Sequence, residues 1–116
     1  MKSNGFTLIE MLIALVILSV AFLALAGLMA QTTRNNSFGG HITEAATFAQ
    51  DKLEELRAIS WLTIVPGSDK KMGSNGTNYD RIWRVASNGN VKTITVTINW
   101  NDQTNHSISF LSVVTQ

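Results

Sequence analysis

The strongest constraint on this chain is an apolar segment close to its N-terminus. From Met11 to Thr33 no side chain is ionisable, and a helix of this length would span about 35 Å, enough to cross a lipid bilayer. One acidic residue, Glu10, stands directly before the segment. A carboxylate in lipid is disfavoured by about 2.5–3.5 kcal/mol at mid-helix and by less near a helix end, so it usually has a partner and a function. Glu10 is therefore the first candidate functional residue.

The residues before the apolar segment predict its orientation in the membrane. Lys2 is the only basic residue there, and the positive-inside tendency places this end of the chain in the cytoplasm. A secretory signal peptide has an apolar core of about 7–15 residues, and the core here is much longer. The sequence therefore predicts a single-pass anchor with a cytoplasmic N-terminus.

A specific pattern leads into this anchor: Gly5, then the aromatic Phe6, then Glu10 four residues further on. It resembles the class III signal of type IV pilins and of type II secretion pseudopilins. The resemblance implies that a prepilin peptidase of the inner membrane cleaves between Gly5 and Phe6. It also implies that the new amine of Phe6 is N-methylated and that the mature chain assembles with other pilin subunits through its N-terminal helix.

A looser resemblance covers two stretches further along the chain. The segment 49–57 and the turn at 100–102 are similar to those of PilV-like minor pilins, and GspI-type secretion pseudopilins are similarly short. The resemblance implies a minor pilin that is incorporated into a type IV pilus or primes its assembly, with consequences for adhesion, twitching motility or DNA uptake. A minor pseudopilin of a type II secretion system is the alternative.

A physical reason for such a signal lies in two charges. Cleavage would leave a cationic amine on Phe6, and Glu10 of one subunit could neutralise the Phe6 amine of its neighbour. Such a pair would set axial register more than it would add stability, because desolvation cancels much of the Coulomb gain. The alternative is that Glu10 extends to the lipid headgroups from a plain membrane anchor that never polymerises.

The remaining sequence predicts one small domain. We expect a leader at 1–5, a membrane-spanning and filament-core helix at 6–30, and a periplasmic domain at 31–116. The net charge of +1 gives no electrostatic footprint for nucleic acid. The chain has no cysteine, whereas many major pilins close a C-terminal loop with a disulfide, and this difference favours a minor subunit.

Apolar residues at intervals of three and four predict an amphipathic helix over about 41–60. They are Phe38, Ile42, Ala45, Ala49, Leu53 and Leu56. Lys52 and the charged residues at 54, 55 and 57 lie off this stripe and are expected in solvent. Because each glycine costs about 1 kcal/mol in a helix interior, Gly39-Gly40 predicts a kink or local melting.

Strand signals follow the single proline, Pro66. The polar stretch 67–78 is expected to be a surface loop, and strands are predicted at about 81–87, 91–100 and 107–115. Asn88-Gly89 is a strong hairpin signal between the first two strands.

The predicted fold is α+β: a long N-terminal helix packed on a three-stranded antiparallel sheet, as in pilins. With a two-residue turn, Trp83 and Val85 share a face with Ile94 and Val96, and this face should cover the apolar stripe of the helix. The last strand leaves an exposed edge, which is either solvated or a docking surface for another subunit.

Residues that could support catalysis or metal binding are few. His41 and His106 are far apart in sequence, and Asp102 beside His106 does not define a catalytic triad. No enzyme activity and no cofactor are therefore expected. An oxygen-rich calcium loop is the alternative reading of four polar residues, although they lack the EF-hand spacing. They are Asp69, Asp80, Asn101 and Asp102.

The combined prediction is a non-enzymatic subunit stored in the inner membrane, which reaches the periplasm or cell surface once assembled. Its expected partners are the prepilin peptidase, other pilin subunits and membrane lipid, with no nucleic acid. A bitopic anchor for a small periplasmic binding module is the second class of function.

Overall fold

The computed structural model describes residues 5–116. The chain divides into two compact units, Met1–Phe38 and Gly39–Gln116. One helix, α1 (Leu8–Ala58), contributes residues to both units. Most of the predicted leader, including Lys2, lies outside the described residues.

Helix α1 continues through the glycine pair. Gly39 and Gly40 are both helical, so the expected local melting at this point is wrong. Isolated helices depend on propensity, but helices in proteins gain most of their stability from tertiary packing. From His41 onward α1 packs against the sheet, and this packing offsets the unfavourable propensity of the two glycines.

In the first unit, every described residue from Gly5 to Phe38 is exposed. The most apolar 18-residue window of α1 has a mean hydropathy of 2.8 and is long enough to span a membrane. Hydroxyl groups in this unit bond within the helix: the Ser19 hydroxyl donates to the Leu15 carbonyl at 2.7 Å. Because their polar groups are satisfied internally, these residues are compatible with a lipid environment.

The second unit contains a four-stranded antiparallel sheet in the order β1-β2-β3-β4. A short 3-10 helix, Trp61–Thr63, connects α1 to the sheet. The strands are β1 (Gly67–Met72), β2 (Asn78–Asn88), β3 (Val91–Asn101) and β4 (Asn105–Thr115). The α+β prediction is confirmed, with four strands rather than three.

The additional strand, β1, lies in the stretch 67–78 that was expected to be a loop. It pairs with β2 from Gly67 opposite Trp83 to Met72 opposite Asn78. Its sequence lacks the apolar alternation of a strand because its inward position is polar: Asp69 binds the buried Arg81. Backbone pairing and this ion pair, rather than apolar burial, stabilise β1.

The hairpin between β2 and β3 turns one residue later than expected. Its loop residues are Gly89 and Asn90, and Asn88 still pairs with Val91. Gly89 has a φ of 60°, which fits the first position of a type II′ turn and favours glycine there. Since both turns have two loop residues, the faces of the strands are unchanged.

The predicted shared face is confirmed. Trp83 pairs with Val96 and Val85 with Ile94, and these residues pack in one cluster with the helix. The helix contributes Ala45, Ala49, Leu53 and Leu56 to this core. On β3 the alternation is regular, with every even-numbered residue from 92 to 100 buried.

Lys52 departs from its predicted exposure, since it is only 6 % exposed. Its ammonium lies 4.1 Å from the centroid of the Trp83 ring and 2.9 Å from a carboxylate oxygen of Glu55. The aromatic face and the carboxylate replace the water that a buried cation loses. A lysine off the apolar stripe can therefore still form part of the packed face.

The apolar residues of β4 lie on both faces of the sheet. Ile108, Phe110 and Val114 are partly buried against the core. Leu111 and Val113 lie on the outer face and are exposed. The irregular apolar pattern of this segment in the sequence is explained by the two sets of residues on opposite faces.

Candidate functional site

The candidate site begins where α1 starts, at a reciprocal pair of hydrogen bonds. The Thr7 backbone N–H donates to Glu10 Oε2 at 2.9 Å. The Glu10 backbone N–H donates to the Thr7 hydroxyl at 3.3 Å. Thr7 precedes the first helical residue, Leu8, so the two residues form a capping box, which satisfies two N–H groups that a helix leaves unpaired.

The capping box gives Glu10 a role that the sequence prediction did not include. The Thr-x-x-Glu spacing was visible, because a Ser or Thr three residues before an acid at the start of an apolar run is the signature of this motif. A carboxylate has four acceptor positions. Glu10 can therefore cap its own helix and still accept a hydrogen bond from a cation.

The predicted cleavage residues precede the helix. Gly5 is exposed, and a Cβ there would meet no atom within 4 Å. Phe6 is 85 % exposed. A requirement for glycine at position 5 is thus not imposed by the fold of this chain, and the bond between the two residues is accessible to another protein.

A second polar cluster lies in the unit Gly39–Gln116. Glu44 accepts hydrogen bonds from the Ser74 backbone N–H at 2.9 Å and from the Tyr79 hydroxyl at 2.8 Å. The Ser74 hydroxyl donates to the same carboxylate. His41 Nδ1 lies 2.9 Å from the Tyr79 hydroxyl oxygen. The cluster connects α1, β2 and the turn between β1 and β2.

The same cluster brings the two histidines to one carboxylate, although they are far apart in sequence. Asp102 Oδ1 lies 2.6 Å from His106 Nε2, and Asp102 Oδ2 lies 3.8 Å from His41 Nε2. The Thr104 hydroxyl also lies 3.0 Å from His106 Nε2. The geometry is that of a structural network that holds the β3–β4 turn to α1.

The protons of this network can be assigned from its donors. The Tyr79 hydroxyl has one proton, which it donates to Glu44, so His41 Nδ1–H is the donor to the Tyr79 oxygen. Burial, together with the adjacent Glu44 carboxylate, raises the pKa of Tyr79 well above its usual range. Hydrogen bonds from Ser74, and then from Tyr79, lower the pKa of Glu44. Tyr79 is therefore neutral and Glu44 ionised at neutral pH.

We expect Tyr79→Phe to lower the free energy of unfolding by about 1–3 kcal/mol. The substitution keeps the ring but leaves the buried His41 Nδ1 without its partner, and an unsatisfied buried group costs about this much. Thermal unfolding of the full chain in detergent, followed by circular dichroism, measures the effect. Thr97→Val is the matched control, because the Thr97 hydroxyl only bonds the exposed Ser109; equal losses in the two variants would contradict the role of the network.

The four residues considered for calcium have other partners. The Asp69 carboxylate binds Arg81, and Asp80 lies 3.7 Å from the Lys70 ammonium. Asp102 binds His106, and Asn101 donates to Asn105. Within residues 5–116 no group of three His, Cys, Asp or Glu side chains is arranged to hold a metal ion.

Comparison with known protein families identifies the N-terminal segment. Residues 1–26 match the family described as the prokaryotic N-terminal methylation motif. The expected class III signal of type IV pilins is thus confirmed over this part of the chain. Together with the apolar helix it supports a type IV pilin-like or pseudopilin protein, anchored in a membrane. Neither the curated proteins nor the solved structures gave a match to the chain.

Proposed function

We propose that this protein is a minor pilin, a subunit that enters a type IV pilus or primes its assembly. The observation that carries the proposal is a methylation motif at residues 1–26 that includes the start of an apolar helix, in which every residue up to Phe38 is exposed. A helix with an apolar surface on all sides needs lipid or other apolar helices around it. Lipid supplies these contacts in the membrane, and neighbouring helices supply them in a filament.

The start of the helix supplies the assembly contact. Prepilin peptidase cleaves between Gly5 and Phe6, and the Phe6 amine is methylated and keeps its charge. Glu10 of one subunit accepts a hydrogen bond from the Phe6 amine of the next while it still caps its own helix. The pair sets the axial register of neighbouring subunits, because an unpaired charge in this apolar environment is costly.

The folded unit Gly39–Gln116 serves as a recognition or packing module rather than as an enzyme. It lies on the periplasmic side before assembly and on the filament surface or tip afterwards. Its near-neutral charge supports partners other than nucleic acid. Two other functions share the same motif or anchor: a GspI-like pseudopilin of a type II secretion system, and a bitopic binding module that does not polymerise.

We expect the chain isolated from its native host to begin at Phe6 and to carry one additional methyl group. Mass spectrometry of the N-terminal peptide measures both features. In a Gly5→Leu variant the leader should be retained, because the peptidase recognises the glycine before its cleavage site. Gly27→Ala is the control, since a Cβ at Gly27 meets no atom within 4 Å, and this variant should be processed normally.

An intact leader on the unsubstituted chain, in a host with active prepilin peptidase, would favour the plain anchor. The choice between pilus and secretion system depends on which filament contains the processed chain. Immunopurification of each filament type, followed by peptide identification, distinguishes the two.

A further inference from the structure

The two edges of the sheet differ in how they are protected. Strand β4 forms one edge, and its eleven residues include no Lys, Arg, Asp, Glu or Pro. It pairs with β3 residue for residue, without a bulge. Natural sheets usually protect a long edge strand with charges, proline, a bulge or a covering segment. Within the part of the chain that the structure describes, β3 is the only strand that pairs with β4, so its outer edge can accept another strand.

Hydrogen bonds at the ends of the ladder show which backbone groups face this open edge. Gln116 N–H donates to the Asn90 carbonyl and Asp102 N–H to the Thr104 carbonyl. Bonding alternates along an antiparallel pair, so even-numbered residues of β4 bond β3. The odd-numbered residues, including Leu111 and Val113, therefore direct their N–H and C=O groups outward.

Strand β1 forms the opposite edge of the sheet, and it also has backbone groups that face outward. Gly73 N–H donates to the Thr77 carbonyl at 2.8 Å, so odd-numbered residues of β1 bond β2. Lys70 and Met72 direct their backbone groups outward and their side chains to the outer face. Exposed apolar side chains of the outer face thus lie at both edges: Met72, 71 % exposed, on β1, and Leu111, 65 % exposed, on β4.

We propose that β4 of one copy pairs with β1 of a second copy in the same orientation. Because the sheet has four antiparallel strands, its two edge strands run in opposite directions, and a neighbour in the same orientation presents β1 antiparallel to β4. If Met72 lies opposite Leu111, each covers the other's apolar side chain. The aliphatic part of the Lys70 side chain then packs on Val113. Lys70 has Asp80 as its own partner, and β4 carries no charge that would repel it.

This contact rests on the proposed function, since filament subunits share one orientation. It is heterologous, so it joins two adjacent copies of this chain without a two-fold axis. The other pairing, β4 with β4 around a two-fold axis, would reverse one copy. The segments of α1 from Gly39 to Ala58 would then run in opposite directions, which a filament of parallel subunits does not allow.

Oxidative crosslinking tests the pairing, because the chain has no cysteine of its own. Full-length Met72→Cys and Leu111→Cys chains are coexpressed in the native host and the membranes are oxidised. A disulfide-linked dimer that contains one chain of each kind is expected, and neither variant alone should crosslink. Asn88→Cys in place of Met72→Cys is the matched control, because Asn88 is exposed but lies on an inner strand.

A proline at Val113 tests the backbone pairing directly. It removes an outward N–H without removing a bond to β3, and proline is tolerated at such edge positions. We expect Val113→Pro in the Leu111→Cys chain to abolish the mixed dimer. Persistence of the dimer, or crosslinking of Leu111→Cys alone, would overturn the proposed pairing. The pairing would also be overturned if the chains are processed and form filaments but give no mixed dimer. In that case the proposed function would stand.

Discussion

Replacing Glu10 with glutamine is expected to reduce incorporation into filaments by about tenfold or more, while membrane insertion is retained. Glutamine also serves in a capping box, so the start of α1 is preserved and only the charge is lost. A hydrogen bond to a charged group contributes about 1.5–3 kcal/mol, and about 1.4 kcal/mol corresponds to tenfold. Quantification of the chain in sheared filaments and in membranes measures the two effects.

Two further substitutions separate the charge of Glu10 from its capping role. Glu10→Leu removes both and should be incorporated no better than Glu10→Gln. Thr7→Val removes the hydroxyl of the cap but keeps the carboxylate, so it should cost about 1 kcal/mol at the helix start and leave incorporation nearly unchanged. Normal incorporation of Glu10→Gln would show that capping, and not charge pairing, is the function of this acid.

The second large effect is expected from Asp69→Asn, which should lower the free energy of unfolding by about 2 kcal/mol. Arg81 is only 3 % exposed, and Asp69 accepts from its Nε at 2.8 Å and from its Nη2 at 2.5 Å. Loss of the carboxylate charge leaves the buried guanidinium with neutral acceptors such as the Phe48 carbonyl, and removal of one partner costs about 3–5 kcal/mol in a fully buried pair. The partial exposure of Asp69 reduces this value. Urea unfolding in detergent provides the measurement.

Asp80→Asn provides a matched control for this substitution on the neighbouring strand. Asp80 pairs with Lys70, whose side chain is 80 % exposed, and such surface pairs contribute about 0–1 kcal/mol. The two aspartates thus differ mainly in the burial of their basic partner. A comparable loss of stability in both variants would contradict the importance of the buried Arg81.

The same pair predicts a dependence on pH. Hydrogen bonds from Arg81 hold the pKa of Asp69 below its ordinary value, which is about 3.9. A lowered pKa in the folded state adds stability above the ordinary pKa, and this stability is lost as the pH falls through the folded value. The acid-induced loss of stability should therefore be smaller in Asp69→Asn than in the unsubstituted chain.

The elements that the sequence predicted well were those with periodic apolar residues. The Ala49–Leu56 stripe and the alternation along β3 identified both faces of the core, and the two-residue turn gave the correct faces for Trp83 and Val85. The capping box was readable from the spacing of Thr7 and Glu10 but was not predicted. These features depend on residues within a few positions of one another, or on a repeating pattern.

The features that were missed depend on contacts between distant residues. Strand β1 has no apolar alternation because Asp69 occupies an inward position, and only the partner Arg81, twelve residues away, explains that choice. The network at Asp102 joins His41 and His106, which lie on different elements. Lys52 is buried because Trp83 provides its ring as a partner. No local pattern encodes such pairs.

The sequential order of the four strands has a consequence for how the domain folds. Each strand pairs with its neighbour in the chain, so every pairing closes a short loop and the entropic cost of each closure is small. Topologies dominated by such local pairings fold rapidly. The sheet can therefore form strand by strand as the chain emerges, and the contacts with α1, which are the most distant in sequence, can complete the core last.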